Sequence, residues 1–321
     1  MRALEWPGGT KTHTILFMTF CGSVNRSNRR GVAGPLDRLV LPSRKNSTRR
    51  ETMSTRLTAS ELQRIRRWFF EYTGPYLRSG GDSGRAAKLK LEHSCRVEEE
   101  SAELAADLDM EAGEIRFAGM LGLLHDAGRF EQYRRHGTFS DRRSEDHGAL
   151  GARVLAEHSV LADLPQRSRT IALRAVAYHN RAVLPGDEGE DCLLHSRLLR
   201  DGDKLDIYRV VTSYYHRPQE ARDRTIELDL PDTHEVSEEV LEDLSCGNIV
   251  DASNVRTLND FKLLQIGWVH DINYRPTLDR VARRRYLELI AAVLPRTPKV
   301  RLAVRGVIES RDRRLGRLKD A

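Results

Sequence analysis

From Thr58 onward, apolar residues return every three or four positions, the period of a helix with one buried face. Leu62, Ile65, Trp68 and Phe69 share such a face behind Thr58-Ala-Ser-Glu61, a capping signature that predicts a helix start. The period continues through 84–107 (Leu89, Val97, Leu104, then Leu108) and 112–126 (Ile115, Met120, Leu121, Leu124). It returns over 145–158, 166–180 and 192–215, and again near 235–244, 257–270 and 276–294. Gly128 to Ser144 is polar, contains Gly137 and reads as a surface loop, and 181–191 (RAVLPGDEGED) reads as a turn-rich connection. The stretch 217–260 is less regular, with a short extended piece at Thr225 to Leu230. Strand signals are otherwise nearly absent and no fixed-period repeat is visible. The pattern therefore predicts an all-α bundle and disfavours folds that alternate strand with helix.

Residues 1–52 lack this periodicity and are rich in Arg, Ser, Asn and Gly, a composition that cannot offset its ordering entropy by burial. They are expected to be a disordered basic segment, with Met53 as an alternative translation start. Beyond them we expect a first domain over 53–216, helices over 217–295 packed on it, and a basic tail over 296–321.

The formal charge of +6 suggests a nucleic-acid partner until it is divided along the chain. Residues 1–52 hold ten Lys/Arg against three Asp/Glu, and residues 296–321 hold nine against three. The body, 53–295, has 34 basic and 41 acidic residues and is net negative. Nucleic acid is therefore an unexpected partner, because a phosphate track needs positive charge on one folded surface. Cys21, Cys95, Cys192 and Cys246 form no CxxC pair, which fits a reducing cytoplasm better than a disulfide framework or zinc ribbon. The apolar run Thr14 to Val24 is far shorter than the roughly 20 residues of a membrane span, so no membrane association is expected.

The candidate chemistry sits where helices should bury it. His125-Asp126 closes the apolar run 117–124, and an ionisable pair in that position needs strong partners, of which a cation is one. His93 has Leu89 and Val97 at i−4 and i+4, so it faces inward. Asp203, four residues after Leu199, can face the core too, with Asp201 and Asp206 as competitors in the same turn. His147 and His179 lie on the intervening helical segments. Successive helices thus each offer one ligand to a common centre, as bundles do when they build metal sites. A second His-Asp pair, His270-Asp271, reads as structural, and His136, His158, His195, His216 and His234 have no partner pattern.

The series H, HD, D resembles the HD superfamily of metal-dependent phosphohydrolases, through LEH at 91–93, LLHDAGRFEQ at 123–132 and RDGDKLDI at 200–207. GTFSDRRSEDHGALG at 137–151 and AYHN at 177–180 resemble the subset with extra histidines. The resemblance implies that His93, His125, Asp126 and Asp203 hold one divalent ion, and that Asp126 bridges to a second held by His147 and His179. The ligand types suit Mn, Fe, Co, Zn or Mg. It implies hydrolysis of a phosphomonoester or phosphoanhydride of a small, nucleotide-like substrate by metal-bound hydroxide, with Asp126, His147 and His179 at the reacting centre. Arg129, Arg142, Arg143 and Lys204 are the candidates for the substrate phosphate.

The chain departs from the family's branches in two places. NRAVLPGDEG follows His179 where the cyclic-dinucleotide phosphodiesterases carry GYP, and the synthetase domain of alarmone hydrolases has no counterpart in 206–321. The competing expectation is a non-catalytic module that senses a nucleotide through the same metal pocket. A homo-oligomer is open, with apolar positions in 262–274 and 286–294 suited to a lid or dimer surface.

Overall fold

The computed structural model describes residues 55–218, 227 and 230–318, and these form helices and connecting turns with no strand among them. The expectations for residues 1–52, for Met53 and for most of the extended piece at 225–230 lie outside the described residues. The chain runs through α1 (Ala59–Arg78), α2 (Gly81–Asp107), α3 (Ala112–Leu124), α4 (Ala127–His136), α5 (His147–Glu157), α6 (Gln166–Tyr178) and α7 (Glu190–Tyr215). It continues through α8 (Glu238–Ser245), α9 (Leu258–Gly267), α10 (Arg275–Arg283), α11 (Tyr286–Ala291) and α12 (Pro298–Arg314). No described helix is long and apolar enough to cross a membrane. The all-α bundle with additional C-terminal helices is what the 3.6-residue period predicts.

The predicted start of α1 is a capping box: the Thr58 hydroxyl accepts from the Glu61 amide while the Glu61 carboxylate accepts from the Thr58 amide. The long helices α2 and α7, of 27 and 26 residues, pack against each other and organise the rest. One apolar core gathers Phe69, Val97, Phe117, Leu121, Leu124, Phe130 and Ala172, from α1 to α6. A second joins Leu104 of α2 and Leu205, Tyr208 and Tyr215 of α7 to Leu263, Trp268, Leu278, Leu287 and Val307 of the C-terminal helices. Those helices therefore share a core with α2 and α7.

Two readings of the sequence need correction. The expected surface loop Gly128 to Ser144 begins as α4, whose residues 127–133 are all buried, and the left-handed Gly137 (φ 63°) ends that helix. Polarity misled here because Arg129, Glu131 and Gln132 are buried with partners: Gln132, for instance, donates to Asp141, Ser144 and the Glu145 carbonyl. The basic tail over 296–321 also contains a packed helix, α12, which buries Val300, Ala303, Val304 and Val307. Its cations tie the helix down, with Arg311 on Glu288 and Arg314 donating to the Val269 and Ile272 carbonyls.

His195, read as having no partner pattern, is a core residue. It is buried on α7 with its ring edge-on to Phe117 and its Nε2 2.5 Å from the Thr55 hydroxyl. Burial pushes its pKa down to about 4 from an ordinary 6.5. Between these values the unfolded chain binds the proton and the folded chain does not, so stability is present above pH 6.5 and lost as pH falls towards 4. At about 1.4 kcal/mol per pKa unit, this one group would cost up to roughly 3 kcal/mol. In denaturant titrations at pH 7 and pH 4, His195→Gln should shrink the acid loss of unfolding free energy by a large part of that amount. An identical loss in the variant would refute the linkage.

Candidate metal centre

Two of the key side chains sit in the middle of long helices, His93 on α2 and Asp203 on α7, and four sit at helix ends. His125 caps the C-terminus of α3, Asp126 opens α4, His147 is the first residue of α5, and His179 caps α6. Asp is favoured at a helix N-cap because its carboxylate accepts a first-turn amide. The Asp126 side chain makes no such bond and turns inward instead.

Close backbone approach makes the convergence of these elements feasible. A Cβ at Gly122 would fall on the Val97 carbonyl, so only glycine lets α3 press against α2 one turn before His125. A Cβ at Gly128 would strike the His147 carbonyl and the Gly151 amide, and its absence seats the start of α5 against α4.

The six ligand candidates meet around Asp126, each of them buried. On one side, His93 Nε2 and His125 Nε2 lie 3.6 and 3.5 Å from Asp126 Oδ2, and 3.2 and 3.7 Å from Asp203 Oδ1. On the other, His147 Nε2 and His179 Nε2 lie 3.5 and 3.7 Å from Asp126 Oδ1. His93, His125 and Asp203 form one group with donor atoms close enough to share an ion, and His125, Asp126 and His179 form a second. The two carboxylate oxygens of Asp126 thus face two different imidazole pairs.

The opposite nitrogen of every imidazole is anchored. His125 and His179 Nδ1 donate to the Gly122 and Val176 carbonyls, each at 2.7 Å. His93 and His147 Nδ1 meet the Asp206 and Asp141 carboxylates, also at 2.7 Å. Such anchors fix the proton on Nδ1 and leave Nε2 as a lone-pair donor, the usual support of a metal-binding histidine.

The residues fit a cation on two further grounds. Asp203 Oδ1 is buried and accepts no hydrogen bond. The Nε2 atoms of His147 and His179 are 3.0 Å apart, and those of His93 and His125 are 3.2 Å apart. Lone pairs at that distance repel unless positive charge lies between them.

Burial pushes the pKa of His125 down to about 3 and of His147 to about 4, so both rings are neutral at neutral pH, as a ligand must be. Burial opposes ionisation of Asp126, yet the charge of Lys90, with Nζ 2.7 Å from Oδ2, is the largest of the influences that outweigh it and hold its carboxyl well below the usual range.

Among the expected phosphate-binding residues, Arg129 is at the centre, with Nε 3.6 Å from Asp126 Oδ1. Arg142 and Arg143 are exposed in a short 3-10 turn, residues 141–143, beside the Asp141 that holds His147. Lys204 is not at the centre: it is fully buried, and its ammonium lies 2.8 Å from Asp271. Adjacency to Asp203 in sequence suggested otherwise, but neighbours on a helix point about 100° apart. Sequence reading missed Lys90 and Asp141, and named Asp206 only as a competitor of Asp203, not as the anchor of His93. Lys90 and Asp206 stand one helical turn from His93 and Asp203, a spacing that could have found them; Asp141 carries no such signal.

Residues 91–208 match the family model of the HD domain. This segment is therefore an HD domain. Comparison with curated proteins and with solved structures gives no match.

Two outcomes follow for metal binding and one for the stability of its scaffold. Asp126→Ala removes the carboxylate common to both imidazole pairs, and metal analysis should show the variant nearly devoid of divalent ion. Full metal content there would sink the assignment. Asp206→Ala frees the His93 ring and should weaken metal affinity about 10- to 100-fold in chelator competition. Gly122→Ala forces α2 and α3 apart and should lower stability by about 1–3 kcal/mol in thermal melts.

Proposed function

We propose that the protein is a phosphohydrolase that uses one or two divalent ions to cleave a phosphomonoester or phosphoanhydride of a small, nucleotide-like substrate. The observation that carries this reading is the double ligand set. One carboxylate, Asp126, faces two imidazole pairs through separate oxygens, and all four rings present Nε2 with Nδ1 tied back. His93, His125, Asp126 and Asp203 would hold one ion, and Asp126, His147 and His179 the other. Bound there, such ions supply Lewis-acid polarisation of the phosphoryl group and an activated water.

The chain's own residues contribute charge and order. Lys90 and Arg129 sit against opposite oxygens of Asp126 and give the pocket beside it two cations for the phosphoryl oxygens. Arg129 is well placed for this role: its Nη1 is held by the Phe139 carbonyl, Gln132 and Asp141 while its Nε makes no hydrogen bond. Asp141 links the two tasks, since it meets both His147 and Arg129.

The test is turnover of an aryl phosphate and a panel of nucleotides by the full chain loaded with Mn, Fe, Co, Zn or Mg. Activity should depend on added metal, and Arg129→Gln should lower kcat/KM about a hundredfold or more if the guanidinium stabilises the charge that develops on the phosphoryl group. Tight metal-dependent nucleotide binding without any turnover would favour the sensing module and sink the hydrolase reading.

A further inference from the structure

A pocket of about 490 Å³ opens between α1, α2 and α4; the six ligand candidates do not line it, but two residues that do also touch Asp126. Lys90 and Arg129 line it, and both also reach Asp126, at 2.7 and 3.6 Å. The Phe139 ring lines it as well and lies over both cations, 5.5 Å from Lys90 Nζ and 5.8 Å from the Arg129 guanidinium carbon. Arg129 is 3% exposed, and its Nε is buried with no hydrogen-bond partner, a donor left over at the seam between pocket and centre. An anion seated on these cations would have its remainder directed into the pocket.

The walls say what that remainder is. Tyr72 and Tyr76 from α1, Phe130 and Tyr133 from α4 and Phe139 together surround the space with ring faces and edges. Tyr72, Tyr76 and Phe130 brace one another at centroid separations of 5.4 to 6.1 Å, so the wall is preorganised. The Tyr72 hydroxyl is already committed to the Ala127 carbonyl and that of Tyr76 to Glu131, and although Glu71, Ser79, Ser83, Arg134 and His158 also contribute, the lining is mostly apolar. Aromatic walls favour planar apolar faces by offset and edge-to-face contact. The volume lies within the roughly 300–1,000 Å³ of small-molecule sites.

We propose that this pocket holds the organic part of the substrate and selects a planar ring, so that phosphates of ring-bearing alcohols are preferred over those of small aliphatic or polyhydroxyl alcohols. The phosphorylated end of the ligand rests on the hydrolase reading; the ring preference rests on the pocket.

The two are separated by using phosphonates, which bind but cannot be hydrolysed. Calorimetric titration of the metal-loaded full chain with naphthylphosphonate and methylphosphonate should show at least about a tenfold preference for the naphthyl compound, equivalent to about 1.4 kcal/mol. Ser83 lies exposed at the rim on α2, so Ser83→Trp blocks the mouth without entering a core and should abolish the preference. Tyr76→Ala, which removes part of the wall, should reduce it severalfold. Equal affinity for the two phosphonates, no binding of either, or a preference unchanged in both variants would overturn the proposal. Turnover is then measured on the corresponding esters. A wild-type chain that prefers the naphthyl phosphonate yet cleaves no ester keeps the pocket and loses the hydrolase reading. Ester cleavage with no ring preference does the reverse.

Discussion

The carboxylate of Asp126 is the constraint on which the rest of the structure depends. It is 2% exposed, and burying an ionised carboxylate without compensation is prohibitively costly. Four helices bring its partners: Lys90 and His93 from α2, Arg129 from α4, and His147 and His179 from the ends of α5 and α6. The junction of α3 and α4 delivers His125 and Asp126 itself, and α7 delivers Asp203. The fold can be understood as the arrangement of helices that lets all these groups reach one dry point.

Such a centre is held by its surroundings more than by its own contacts. Each imidazole would be free to rotate were it not for its Nδ1 acceptor, and the acceptors are of two kinds. For His125 and His179 the acceptor is the carbonyl three residues earlier, in the last turn of α3 or α6, so helix termination itself orients the ring. For His93 and His147 it is a carboxylate that is bound in turn, Asp206 by Arg96 and Asp141 by Arg129, Gln132 and Asn180. Displacing one ring therefore means breaking a network, which is how a protein keeps mutually repelling lone pairs pointed at a common position.

Much of this was legible in the sequence. The helical period located most elements, and the inward register of His93 followed from Leu89 and Val97. What it hid were buried polar residues whose partners are distant in sequence. The period breaks across α4, because Arg129, Glu131 and Gln132 replace the apolar positions a buried helix would show; Arg129 and Gln132 find partners in 139–145, and Glu131 pairs with Arg134 and Arg135 of its own helix. The same holds for Asp141, in a turn with no pattern, which reaches His147 only once Gly128 has seated α5 against α4. Composition likewise gave only a basic tail where α12 packs, and two of its arginines, Arg311 and Arg314, tie the helix to the body.

The run RDGDKLDI shows why α7 could not be resolved by pattern alone. Its polar residues are buried on two faces. Asp203 and Asp206 turn towards α2 and the histidines, while Arg200, Asp201 and Lys204 turn towards the C-terminal helices. There Asp201 accepts from the Asn273 and Tyr274 amides and the Thr277 hydroxyl at the start of α10, and Asp271 neutralises Arg200 and Lys204. His270-Asp271, the second His-Asp pair, thus supplies a structural counter-ion. The C-terminal helices do more than extend the core. They satisfy the charged back face of the helix whose front face carries Asp203, so the position of that carboxylate depends on a region that contributes no ligand.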